Sequence, residues 1–181
     1  MGNQTENTDL WATPFWVTAF AELYFLNCKN SNKNKGFGLD AAANEFNRKC
    51  KKFISKEQDA LSVDWASKSK RIWCNPPYSD PLPFIEKAIT ESEKGAKVVM
   101  LLNVDNSTRW FAKCVQHANK IVFVTLGRIP FLHSQTGEET KGAKRPQMFV
   151  FFDKTKREKL STDYLSLNEI RQISHYRHLR D

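Results

Sequence analysis

Two consecutive prolines, Pro76 and Pro77, follow almost directly on the apolar run Ile72-Trp73-Cys74. Proline carries no backbone N–H and holds φ near about −65°, so it can neither extend a strand ladder nor sit inside a helix without losing a hydrogen bond. The residue before a proline is also driven out of the helical region. The stretch Trp73-Cys74-Asn75-Pro76-Pro77-Tyr78 must therefore be the end of a strand followed by a stiff bend. The carbonyls of that bend are free to accept hydrogen bonds.

The rest of the chain places this bend in an α/β protein. Thr13-Pro14 has the form of a helix start, a hydroxyl cap with proline at the first position, and Phe15, Ala19, Phe20, Leu23, Tyr24 and Leu26 follow at helical spacing. A polar loop over 27–35 leads to a short apolar run over 37–40, a predicted helix over 44–51 and a short strand at 53–54. A weak strand is predicted between 59 and 64, and a stronger one over 71–74. Asp80-Pro81 opens a helix over 82–94, which Gly95 closes, and 97–102 reads as a fully buried strand. A helix over 107–118 follows, then strands over 121–125, 128–132 and 147–152. Ser166-Leu167-Asn168-Glu169 is a capping box that starts a basic C-terminal helix over 166–181.

Strands alternating with helices predict a mainly parallel sheet covered on both faces. The last predicted strand, 147–152, lies only a loop from its predecessor and is expected to pair antiparallel at the end of the sheet. Ligands of such sheets bind beyond the carboxyl ends of the strands, where the bend at Asn75 lies.

A length of 181 residues fits one domain spanning 1–181. The chain has no apolar run of membrane-spanning length, and its polar start MGNQTENTDL lacks the order of a secretory signal, so a cytoplasmic protein without membrane contact is expected. Cys28, Cys50, Cys74 and Cys114 form no CxxC pair, and the four histidines are dispersed, so no metal site is expected. The net charge of +8, from 28 basic and 20 acidic residues, favours a polyanionic partner.

The bend suits a planar amine. Asn75 offers a side-chain carbonyl, Pro76 a backbone carbonyl and Tyr78 a flat ring. Such a site can accept both hydrogens of an exocyclic NH2, as on adenine N6, while the ring is stacked. The nitrogen lone pair is then turned away from conjugation and toward an electrophilic carbon.

With these motifs the chain resembles the phage-type DNA N-6-adenine methyltransferases, the Dam family, over residues 11–152. The likeness includes Asp9-Leu10-Trp11-Ala12-Thr13-Pro14, Phe37-Gly38-Leu39-Asp40-Ala41-Ala42-Ala43, Asp59-Ala60-Leu61, Asp64-Trp65, the bend itself, Ser107-Thr108-Arg109-Trp110-Phe111 and Gly127-Arg128-Ile129-Pro130-Phe131. The resemblance implies a Rossmann-like S-adenosylmethionine-dependent methyltransferase fold, S-adenosylmethionine as methyl donor and transfer to adenine N6 in DNA. It implies Asn75, Pro76, Pro77 and Tyr78 as the catalytic turn, and Thr13, Pro14, Asp40, Asp59 and Asp64 as contacts to the donor. A helix cap is the other role open to the aspartates. The glycine-rich turn that many methyltransferases place after their first strand is absent, and Ala41-Ala42-Ala43 occupies the position.

A base inside duplex DNA must be swung out of the stack before it can react. The loop 132–146 carries Gln135, Lys141, Lys144 and Arg145, which suit base-edge and phosphate contacts, and Arg128 is a further candidate for a phosphate or for bracing its strand. A protein glutamine amide offers the same planar NH2 as adenine, so a glutamine-N5 methyltransferase is the alternative enzyme, and a non-catalytic DNA-binding module is the third reading.

Overall fold

The protein is described from a computed structural model covering residues 11–27, 36–133, 136–154 and 159–175. Six strands form one sheet in the order β1-β2-β3-β5-β4-β6. They are β1 (Leu39–Asp40), β2 (Arg71–Cys74), β3 (Lys97–Asn103), β4 (Lys120–Thr125), β5 (Gln147–Phe152) and β6 (Ser161–Ser166). β1 and β2 are parallel, as are β2 and β3, with Cys74 opposite Met100. β5 runs antiparallel to both β3 and β4, while β6 is parallel to β4. Five strands therefore point their carboxyl ends to one rim. Asp40, Asn75, Val104, Leu126 and Leu167 stand at or just past those ends.

Alternation along β3 sorts the core into two layers. Val98, Met100 and Leu102 face a cluster with Trp65 of α2 (Trp65–Lys68), Ile85 of α3 (Leu82–Glu93) and Cys114 of α4 (Arg109–His117). Val99 and Leu101 face Val17, Phe20 and Phe25 of α1 (Phe15–Leu26) and Ile170 of α5 (Leu167–His175). Trp73 lies in the second layer, so Asn75, two residues on, points toward the α1 side.

The expected antiparallel strand is present, but it lies between β3 and β4 rather than at the end of the sheet. β6 is the edge, and sequence patterning missed it because its STDYLS pattern is largely exposed and shows no apolar face. The helix expected over 44–51 is a series of turns. Asn44 Oδ1 takes the backbone N–H groups of Phe46 and Asn47, and Asn47 Oδ1 takes that of Asn44, so side chains compete with helical bonding. Residues 59–64 are likewise turns, with Asp59 Oδ1 accepting from Leu61 N at 3.1 Å.

The strand expected over 128–132 does not form either. Pro130 has no donor, Ile129 N–H goes to Gln147 Oε1 at 2.8 Å, and Phe131 N–H goes to Thr140 Oγ1 at 3.2 Å. Side chains take these two N–H groups, and only isolated bridges of Leu132 to Ala12 and Glu139 remain where a ladder was expected. The expected capping box is present, with Glu169 N–H donating to Ser166 Oγ and Ser166 N–H to Glu169 Oε2. No helix among the described residues is long and apolar enough to cross a membrane.

Candidate active site

Asn75 is the first residue past β2, and its side chain is fixed by one bond. Its Nδ2 donates to Thr13 Oγ1 at 3.1 Å, and Thr13 is itself buried just ahead of α1. That contact turns the amide so that Oδ1 is left over, and Oδ1 is buried without a hydrogen-bond partner. A buried carbonyl in that state has lost water and gained nothing in exchange, at a cost of about 1–3 kcal/mol. A ligand N–H would recover it.

Tyr78 follows the two prolines and packs edge-on against Phe131, with ring centroids 6.3 Å apart. Its hydroxyl is also buried and unpartnered, and burial holds the phenol protonated far above its ordinary range. Beside it opens a cleft of about 450 Å³, lined by Tyr78, Asp80, Asn103, Asp105, Trp110 and Arg145. A cleft of this volume takes a nucleobase with room to spare.

Asp40 closes β1, beside β2, and is 2% exposed. Burial pushes its carboxyl up to about 6, against the opposing pull of two backbone N–H groups. Those come from Lys49 at 2.9 Å and Ala42 at 3.4 Å, so the carboxylate shapes the 41–49 turn.

The remaining sequence candidates are dispersed. Pro14 is buried next to Thr13. Asp59 is exposed in a turn with φ 51°, its side chain engaged with Leu61 N. Asp64 caps α2 through Ser67 N–H and pairs with Lys94 at 3.1 Å, which places it at the amino end of the sheet, away from Asn75.

Arg128 Nη1 donates to the carbonyls of Ala143 at 3.2 Å and Lys144 at 2.9 Å, bracing the loop that follows. Arg145 pairs with Asp105 at 3.2 Å on the wall of the cleft, and Lys141 and Lys144 are exposed nearby. Gln135 lies outside the described residues.

Sequence reading gave no role to Asn103, Asp105, Trp110 or Gln147. Asn103 ends β3 and Asp105 stands two residues past it, as Asn75 stands just past β2, so the rule that locates one strand end locates the other. Gln147 was hidden because the partner that buries it, Ile129 N–H, is distant in sequence; its Nε2 is also buried and unbonded.

Set against known proteins, residues 2–176 match the family described as DNA N-6-adenine-methyltransferase (Dam). A DNA N-6-adenine-methyltransferase of Haemophilus phage HP1 is 48% identical over 166 residues, covering 91% of this chain and 90% of the relative. One from Escherichia phage T1 is 33% identical over 177 residues, covering 90% and 70%. Among solved structures, a Listeria monocytogenes protein described as a class I S-adenosylmethionine-dependent methyltransferase aligns over 97% of this chain and 74% of its own. That alignment has a TM-score of 0.51 at 14% identity, a likeness of fold.

Proposed function

The chain belongs to the DNA N-6-adenine-methyltransferase (Dam) family, and on that premise we propose how its own residues methylate adenine N6 in DNA. The observation that carries the reading is the buried, unpartnered Oδ1 of Asn75, held outward by Thr13. Asn75 Oδ1 and the Pro76 carbonyl each accept one hydrogen of the target amine. The two prolines keep these acceptors from swinging away, and Tyr78 gives the extruded base a face to stack on. With both hydrogens held in the plane of these acceptors, the nitrogen lone pair is directed out of the ring plane toward the donor side.

S-adenosylmethionine, when bound, supplies an electrophilic methyl carbon on a positively charged sulfur. In this reading the donor lies beside the ends of β1 and β2, where Ala41 N–H bonds the Trp73 carbonyl and Thr13 holds Asn75, with Asp40, the alanine turn and Thr13-Pro14 as its candidate contacts. Asp40 acts there chiefly by setting the 41–49 turn, and the exposed Asp59 is the second candidate for a direct polar contact. Asp64 is left with a capping role. Asn75 needs no shifted pKa, because it accepts hydrogen bonds and takes no proton; the amine's surplus proton leaves after the carbon–nitrogen bond has formed.

Lys141, Lys144 and Arg145, in the loop 132–146, would meet the DNA backbone, with Arg128 holding the loop in place. The protein acts on DNA in the cytoplasm of a bacterial host cell. Incubation with labelled S-adenosylmethionine and mixed-sequence DNA, followed by mapping of modified adenines, is the direct test. Label confined to protein would overturn the choice of acceptor. Alanine at Lys141, Lys144 and Arg145 together should lower affinity and reduce the slope of log K against log salt by about two to three. An unchanged slope removes the loop from the DNA contact.

A further inference from the structure

Leu126 is the residue in the fold with the least internal reason for its position. It follows β4 on the carboxyl rim, is 91% exposed and has φ 48°, a left-handed conformation that a leucine side chain opposes. Neither its exposure nor its backbone is offset by packing. Two contacts fix the backbone that follows it. Gly127, at φ 146°, is pressed against Leu167, where an added Cβ would lie 2.9 Å from Cδ2. Arg128 is then tied to the carbonyls of Ala143 and Lys144. The tip is thus a braced protrusion, and exposed cations of the loop, Lys141 and Lys144, stand next to its anchor.

A rigid apolar point among cations, on the rim that carries the catalytic bend, matches one partner well. Cations hold phosphates, and leucine is among the side chains that enter a base stack and open it. In the sheet order, β2 and β4 are separated by two strands. Three strand spacings give about 14 Å between the Asn75 end and the Leu126 end. That span suits a tip working at the duplex axis while the target base lies beside the helix.

We propose that Leu126 is a positioning residue that inserts into the base stack of duplex DNA as the target adenine leaves it. The proposal rests on the reading that the adenine is extruded. Its experiment uses duplexes carrying the mapped methylation site, one fully paired and one with an abasic site opposite the target adenine. A third duplex carries 2-aminopurine in place of that adenine. The variants are Leu126→Gly and Leu126→Asn, which suit the left-handed backbone, and Leu126→Met, which keeps an apolar point.

The Gly and Asn variants should melt at or above the wild-type temperature, so lost activity cannot be ascribed to unfolding. They should methylate the paired duplex at least about ten-fold more slowly, yet stay within about two-fold on the abasic duplex, where extrusion is cheap. The rise in 2-aminopurine fluorescence on binding should be lost with them and kept with Met. Equal rates for all variants on the paired duplex would overturn the assignment, as would an equal loss on both duplexes. A fluorescence rise with Gly as large as with wild type would remove the wedge but keep extrusion. No rise with the wild-type protein, while it still methylates, would overturn extrusion itself.

Discussion

Glu91, at the amino end of the sheet, and Asn75, at the carboxyl end, are both polar groups taken out of water, and the protein treats them differently. The Glu91 side chain is fully buried and its carboxylate is saturated. It accepts from Ala66 N at 2.8 Å, Lys94 Nζ at 3.0 Å and Lys87 Nζ at 3.1 Å, joining α2 to α3. Asn75 donates from its amide to Thr13 and leaves its carbonyl without a hydrogen-bond partner, one residue from a strand end. A carboxylate matched on every side is a joint. A carbonyl oriented but unmatched keeps its capacity to accept, and the desolvation it has already undergone would make an arriving hydrogen bond stronger. Asn119 at the amino end also leaves an amide nitrogen unbonded, but its Oδ1 holds Asp153 N–H at 2.6 Å and so ties two elements together.

The comparison can be broken most directly at Asn75. Asn75→Ala should lower turnover by about two to three powers of ten, the cost of losing an acceptor used in the transition state, while thermal melting changes little. Near-normal turnover would make Asn75 a joint like Glu91. The reciprocal substitution, Glu91→Ala, leaves two lysines and a backbone N–H facing a hole. It should cost on the order of 3 kcal/mol of stability in urea unfolding, with turnover per folded molecule unchanged.

Asp40 sharpens the contrast, because it is buried near the site and satisfied only in part. Its folded value of about 6 lies above the ordinary 3.8, so between those pH values the folded protein holds more proton than the unfolded chain. Stability should therefore fall as pH rises from about 4 through about 6 and then level off, by on the order of 3 kcal/mol. Asp40→Asn should flatten that slope in urea melts taken across the window. A slope equal to wild type would assign the titration elsewhere. The smallest effect belongs to Thr13. Thr13→Ala frees the Asn75 amide to rotate and should reduce turnover roughly ten-fold. Thr13→Ser should restore the rate, since only the hydroxyl is needed.

The sequence made these two ends unequally legible. Asn75 could be found from a strand end and two prolines, both local features. The role of Thr13 in orienting it depends on a contact spanning 62 residues, and no periodicity reports that. The buried strands over 71–74 and 97–102 were plain because every residue that matters there is apolar. The turns at 44–51 and the segment 128–132 were misread for one reason, that their backbone groups are taken by side chains of Asn44, Asn47, Thr140 and Gln147. Lateral strand order was not legible either. Nothing in the run 147–152 tells whether it caps a sheet or fills its middle.

Its place in the middle governs when the protein can come to life. Among the described residues β3 and β4 are joined laterally only through β5, whose residues 147–152 are synthesised after both. A nascent chain halted earlier carries the Asn75 bend beside β3 and the β4 tip on strands that nothing yet joins, each with an open edge ready to pair with strangers. Activity therefore waits until β5 has been made, and a chain halted before it is a sticky fragment rather than a weak enzyme.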